Sequence, residues 1–172
     1  MIQGEGQCGL YALRYTLAAC LRQKYTRTQL QIMTGYTYEQ ICAEGLSEKD
    51  LVSVIRECGL AHNAIEARRN RFKSWLNQRL LDHAPVIYNV YNGYHWVCIT
   101  QLIMHDRYVV IDSFQKLGQA VQLLSLKEVL ALSQCSWYYG LALISHTDNY
   151  WPEYAALLAQ ADECNFKAKK LV

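Results

Sequence analysis

The hydrophobic pattern of this chain changes period at Pro85, and that change restricts the fold more than any other feature of the sequence. Before it, Leu10, Leu13, Leu17 and Leu21 recur near the helical period and predict a helix over about 9–22 with one apolar stripe. Three short runs then carry start and stop signals. Thr26 with Gln29, Thr37 with Gln40 and Ser47 with Asp50 have the spacing of capping boxes, and the runs end at Gly35, Gly45 and Gly59. Phe72, Trp75, Leu76 and Leu80 predict a further helix over about 71–82. Beyond Pro85 the pattern turns to strands. Val86 to Tyr91 and Tyr94 to Leu102 are rich in β-branched and aromatic residues and flank Asn92 and Gly93, a hairpin signal. Tyr108 to Phe114 and Trp137 to Ser145 predict two more strands, with a capped helix from Ser125 to Ser133 between them and a last helix over about 152–164, opened by Pro152. The expected fold is α+β, a helix-rich N-terminal half packed on a C-terminal antiparallel meander. No Ser/Gly-rich linker, repeat or low-complexity tract interrupts it, so residues 1–172 are expected to form a single domain.

Composition narrows the function classes. With 172 residues the chain can bury roughly 70% of its unfolded surface, so it needs neither disulfides nor a metal to hold a core. It is 52% hydrophobic and 19% charged, and its formal charge of +2 includes no Lys/Arg stripe interleaved with aromatic residues of the kind that tracks phosphates. The tail of Lys167, Lys169 and Lys170 reads as a solvated end. Disorder, a membrane span and nucleic-acid binding are therefore not expected, and the molecule is expected to be a monomer with no cofactor or metal. The seven cysteines show neither C-x-x-C spacing nor a paired histidine motif and read as free thiols. The opening residues do not resemble a cleaved secretion signal, so a reducing cytoplasmic compartment is expected, a host cytosol included if the protein is an injected effector.

One cysteine stands apart. Gly4-Glu5-Gly6-Gln7-Cys8-Gly9 places Cys8 between a glycine-rich turn and the first turn of a helix. A free thiol of pKa about 8.5 is only a few per cent ionised at neutral pH, and amide groups at a helix start together with an imidazolium favour the thiolate, which is the nucleophile. The glycines let a carbonyl approach the Cys8 amide, and Gln3 or Gln7 can add a side-chain donor to the same oxyanion. Of the histidines, 62, 83, 105 and 146 fall at strand ends, caps and turns. His95 instead follows the Asn92-Gly93 turn, near the start of a strand, where a rigidly held base belongs. Asp112 closes an apolar strand and needs a partner. A turn centred on His105 and Asp106 puts Asp112 opposite Ile99, so a Cys8-His95-Asp112 triad requires a bulge or a different turn.

This order of Gln, Cys, His and a third polar residue resembles the papain-like cysteine peptidases, and within them the Josephin deubiquitinases. Gln3 stands five residues before Cys8, Trp96 follows His95, and Ser113 follows Asp112. The resemblance implies Cys8 as nucleophile, His95 as base and then acid, Asp112 as orienter, Gln3 as oxyanion donor, Trp96 in the substrate site, and ubiquitin or a ubiquitin-like protein as substrate. The chain departs from that family in carrying Asp where it has Asn, in a longer His95–Asp112 loop, and in a short 34–50 segment. Bacterial exporter peptidases that cut double-glycine leaders share the Cys, His, Asp order, but with the Gln six residues before the Cys and a fused transporter. Viral papain-like proteases, glutamine deamidases and a catalytically silent ubiquitin-binding module are the other readings.

Overall fold

A computed structural model describes residues 6–104, 106–113, 119–145 and 150–170. Seven helices and six strands occur among them: α1 (Cys8–Leu21), α2 (Arg27–Thr34), α3 (Tyr38–Glu44), α4 (Glu48–Glu57), β1 (Ala61–Ala67), α5 (Arg69–Leu81), β2 (Val86–Val90), β3 (His95–Ile103), β4 (Arg107–Ile111), β5 (Val121–Ser125), α6 (Leu126–Ser133), β6 (Tyr138–Ile144) and α7 (Pro152–Lys170). The class is α+β, as the change of period requires. Thr26, Thr37, Ser47 and Ser125 each cap a helix through the reciprocal side-chain bonds expected of them.

The sheet is not a simple meander. Its order is β1-β6-β2-β3-β4-β5 with every neighbour antiparallel, so β2 to β5 form a meander and β6 returns to lie between β2 and a strand from the first half of the chain. That insertion cannot be read from local patterning, because β6 bonds to residues more than fifty positions away. Alternation along the strands then divides the core in two. Ile87, Trp96, Cys98, Ile111, Leu141 and Leu143 face α1, whereas Val86, Tyr88, Val97, Ile99, Val110 and Ala142 face α5 and α6.

The first helix departs from its expected single stripe: all but two of its residues are buried. Leu10, Leu13 and Leu17 pack toward α2 and α4, while Tyr15, Ala18 and Ala19 pack toward α7. Small residues such as Ala18 and Ala19 are silent in a periodicity argument yet let α7 approach closely. The buried guanidinium of Arg14 completes this side, reaching both carboxylate oxygens of Asp162 on α7 at 2.8 and 2.9 Å and donating to the Tyr25 carbonyl. Thus α1 is a central rod whose N-terminal end is fixed from several sides.

Candidate active site

Cys8 is the first residue of α1 and is buried. The turn before it packs backbone against backbone. Gly6 has φ +82, and a Cβ there would overlap the Ile41 carbonyl oxygen and lie 2.8 Å from that of Cys42, at the C-terminal end of α3. Gln7 is buried and its side chain is fully engaged: the amide donates to the Tyr38 hydroxyl at 2.7 Å and to the Cys42 sulfur at 3.7 Å, and its oxygen accepts from Arg27 at 3.2 Å. Gln7 is therefore a bracket for the turn and not a spare donor. Gln3 lies outside the described residues.

His95 opens β3 after a turn more contorted than a two-residue hairpin. Tyr91, Asn92 and Gly93 all have positive φ, at 52, 57 and 92°, and the four-residue loop ends by pairing His95 with Val90. A left-handed tyrosine is strained, and such strain persists only where the surroundings hold it. Here the Tyr91 ring lies 5.7 Å from the His95 ring, and the Asn92 side-chain oxygen accepts from the Cys135 thiol at 2.9 Å.

Asp112 reaches His95 through both of the departures considered above: the turn pairs Ile103 with Arg107, one residue off the expected register, and a bulge supplies the second residue. The register runs Gln101↔Val109 below it and Ile99↔Val110 above it, leaving Thr100 as the extra residue. Cys98 then faces Ile111, so continuing the ladder brings Asp112 level with Val97 and not with Ile99 as expected. From there its carboxylate spans the diagonal to His95 on the same face, and the Nε2–Oδ1 distance is 2.7 Å. The Asp112 backbone N–H donates to the Ala120 carbonyl at 2.8 Å, which holds this residue just past the strand end. The Cys8 thiol hydrogen-bonds the same imidazole. With Nε2 taken by Asp112, the remaining ring nitrogen, Nδ1, is the one that faces Cys8.

Burial pulls the His95 pKa down, but the hydrogen bonds and charges of Asp112 and Cys8 outweigh it and hold it at about 9. At neutral pH the ring is therefore a cation held against Asp112. Burial has the opposite consequence for Cys20 and Cys98, whose thiols are pushed up and made unreactive. Among the other histidines, His62 sits in β1 and His83 is exposed against the Tyr150 ring, while His105 and His146 lie outside the described residues.

Trp96, expected in the substrate site, turns its ring into the core on the α1 side. Its indole N–H donates to the Leu46 carbonyl at 2.9 Å, and its ring meets Tyr139 edge-on at 6.0 Å. Leu46 in turn fills the space beside Gly9, where an added Cβ would come within 2.8 Å of the Leu46 Cβ. The loop between α3 and α4 thus ties the helix that begins at Cys8 to the strand that begins at His95. Nothing in the sequence pattern around Leu46 announces this. Trp96→Phe keeps an aromatic ring, though a smaller one, and leaves the buried Leu46 carbonyl without its donor, so it is expected to cost at least about 1–3 kcal/mol in urea unfolding. An unchanged unfolding midpoint would show that the bond does not brace the site.

A sequence model of the peptidase C39 family matches residues 2–131. The crystal structure of the peptidase domain of Streptococcus ComA, described as a bi-functional ABC transporter involved in a quorum-sensing pathway, is 14% identical with a TM-score of 0.58, and the match covers 82% of this chain and 93% of that one. The peptidase domain of Streptococcus mutans ComA in complex with a small-molecule inhibitor is 13% identical with a TM-score of 0.51, over 83% of this chain and 93% of that one. No curated protein sequence matches. The fold is that of the papain-like cysteine peptidases. Within that class the chain belongs to the peptidase C39 family, a cysteine peptidase family, which replaces the Josephin placement expected from the Gln3 spacing. The family match stops before β6, yet β6 joins β1 to β2, so the sheet of this chain extends through residues beyond the match.

Proposed function

We propose that this cysteine peptidase works through Cys8 as nucleophile, His95 as general acid and base and Asp112 as orienter, with the Cys8 backbone N–H and the Gln3 side chain as oxyanion donors. The observation that carries this reading is the continuous hydrogen-bonded line from Cys8 through His95 to Asp112 at the start of α1. The Cys8 thiolate attacks the scissile carbonyl carbon, and the carbonyl electron pair moves to the oxygen. Collapse of this intermediate breaks the C–N bond, the His95 imidazolium gives its proton to the leaving amine, and a thioester remains. Neutral His95 then takes a proton from water, whose oxygen attacks the thioester and returns the sulfur as thiolate.

The substrate we propose is a peptide cut after a pair of glycines, as exporter peptidases cut their leaders. The family match and the transporter-linked peptidase domains of like fold support that choice. They lend no support to ubiquitin, which becomes the second arm of the test. Internally quenched peptides with a central Gly-Gly are expected to be cut on its C-terminal side by the native protein and not by Cys8→Ala, while ubiquitin carrying a C-terminal electrophile forms no adduct. A Cys8 adduct with that ubiquitin would move the substrate to the deubiquitinase class. Ammonia release from glutamine side chains without chain cleavage would make the enzyme a deamidase.

A further inference from the structure

The turn between β2 and β3 holds one residue whose backbone strain the local hydrogen bonds do not explain. Tyr91, Asn92 and Gly93 all have left-handed φ, and for Asn92 and Gly93 that is ordinary turn chemistry. Tyr91 is the exception, because the Cβ of any residue but glycine crowds the following carbonyl oxygen in that conformation. The bonds that close the turn ask nothing of its side chain. The Tyr94 N–H donates to the Tyr91 carbonyl at 3.2 Å, the Asn89 side-chain amide donates to the Gly93 carbonyl at 3.5 Å, and the Asn92 side chain accepts from Cys135. Glycine at position 91 would allow the same bonds with less strain.

What a tyrosine adds is its ring. The side chain is half-buried against the apolar core on the α5 and α6 side of the sheet, and its ring stands 5.7 Å from the His95 ring with 31° between the two planes. These values are nearer to parallel than to edge-on and fall in the range of offset-stacked rings. The imidazole has a use for such a neighbour. Its nitrogens are committed to different partners, Nε2 to Asp112 and Nδ1 to Cys8, so rotation about its Cβ–Cγ bond breaks both contacts at once. Asp112 and Cys8 hold the ring only by its edge. A second ring lying along it and backed by the core resists that rotation, and Tyr91 does so from the chain that leads directly into His95.

We propose that Tyr91 is a positioning residue for the proposed base: its ring, carried on a left-handed backbone, keeps the His95 imidazole turned toward Cys8 and Asp112. The proposal rests on the peptidase reading above. Comparing Tyr91→Phe with Tyr91→Leu isolates the ring, since both keep the backbone strain of tyrosine and both lack the hydroxyl. On an internally quenched Gly-Gly peptide, Tyr91→Leu is expected to lose about 10-fold or more of kcat with KM unchanged, while Tyr91→Phe stays within about 2-fold of native. Tyr91→Gly drops the ring and the strain together. It is expected to show the same loss from a backbone at ease with positive φ, and urea unfolding shows that each variant is folded in the assay buffer. A second readout needs no substrate: the pH dependence of Cys8 alkylation by iodoacetamide, which follows the thiolate that a neighbouring imidazolium favours. The titratable groups that meet at His95 are Cys8 from α1, Asp112 beyond the end of β4 and the Tyr91 phenol, and Tyr91→Phe removes the phenol alone. An imidazole free to turn from the sulfur supports the thiolate less, so the alkylation midpoint is expected to move to higher pH in Tyr91→Leu and Tyr91→Gly and to stay in place in Tyr91→Phe. Native kcat and an unmoved midpoint in Tyr91→Leu and Tyr91→Gly overturn the positioning role. A Tyr91→Phe that fails as they do also overturns it, by placing the effect in the hydroxyl. A native protein that cuts no Gly-Gly peptide overturns the substrate reading above, and the alkylation midpoints then decide for or against Tyr91 on their own.

Discussion

Alanine at Cys8 or at His95 is expected to lower turnover of a cleaved peptide by ~10⁴–10⁶-fold, and alanine at both is expected to lower it no further than the worse of the two. The lack of additivity is the informative part. A nucleophile without its base and a base without its nucleophile fail at the same step, so a second loss has little left to remove. The His95 variant carries a second signature. Its imidazole, held at about 9, is a cation at neutral pH beside the Cys8 sulfur, and removing that cation disfavours the thiolate. Alkylation of Cys8 by iodoacetamide at pH 6 is therefore expected to slow sharply in His95→Ala, while alkylation of the exposed Cys135 keeps its native rate. If His95→Ala leaves the Cys8 rate unchanged, the imidazole does not activate the thiol and the assignment of the base is wrong.

The parts of this architecture that are legible in the sequence are those decided locally. Ser47 and Asp50 cap α4 because both bonds of a capping box form within a single turn, and the same holds at Ser125 and Glu128. Cys8 and His95 could be singled out because each stands where a regular element begins, next to glycine-rich chain. The rest was set at long range. The Leu46 carbonyl that accepts from Trp96 is fifty residues away, and β6 finds its place between two strands that its own sequence does not mention. Asp112 illustrates the boundary between the two. Its need for a partner is readable from a carboxylate at the end of an apolar strand, but its place level with Val97 needs both the Ile103↔Arg107 turn register and the bulge at Thr100, and no local signal announces either. The Josephin resemblance leans on Gln3 standing five residues before Cys8, and a difference of one residue in that spacing is too slight a local signal to separate two families of one fold.

The third member of the line makes the sharpest pH prediction. Asp112→Asn keeps an oxygen that can accept from Nε2–H of His95 but removes the negative charge, whereas Asp112→Ala removes both. If orientation of the ring is the larger contribution, Asp112→Asn retains a measurable part of the activity and Asp112→Ala loses about 10–100-fold more. The charge shows itself in the alkaline limb of kcat/KM, where the imidazolium loses its proton. In the native protein burial lowers the His95 value, and Asp112 and Cys8 together raise it to about 9, so the limb is expected there and must move to lower pH once the Asp112 charge is gone. The same shift appears in folding. A histidine held above the ~6.5 of a free imidazole contributes stability that is fully present below that pH and is lost as the pH rises through about 9. Thermal unfolding of the native protein is therefore expected to weaken between those two values, and that of Asp112→Asn to weaken less and at lower pH. If neither the limb nor the unfolding profile moves in Asp112→Asn or in Asp112→Ala, Asp112 merely ends its strand and Cys8 with His95 is the whole of the catalytic unit.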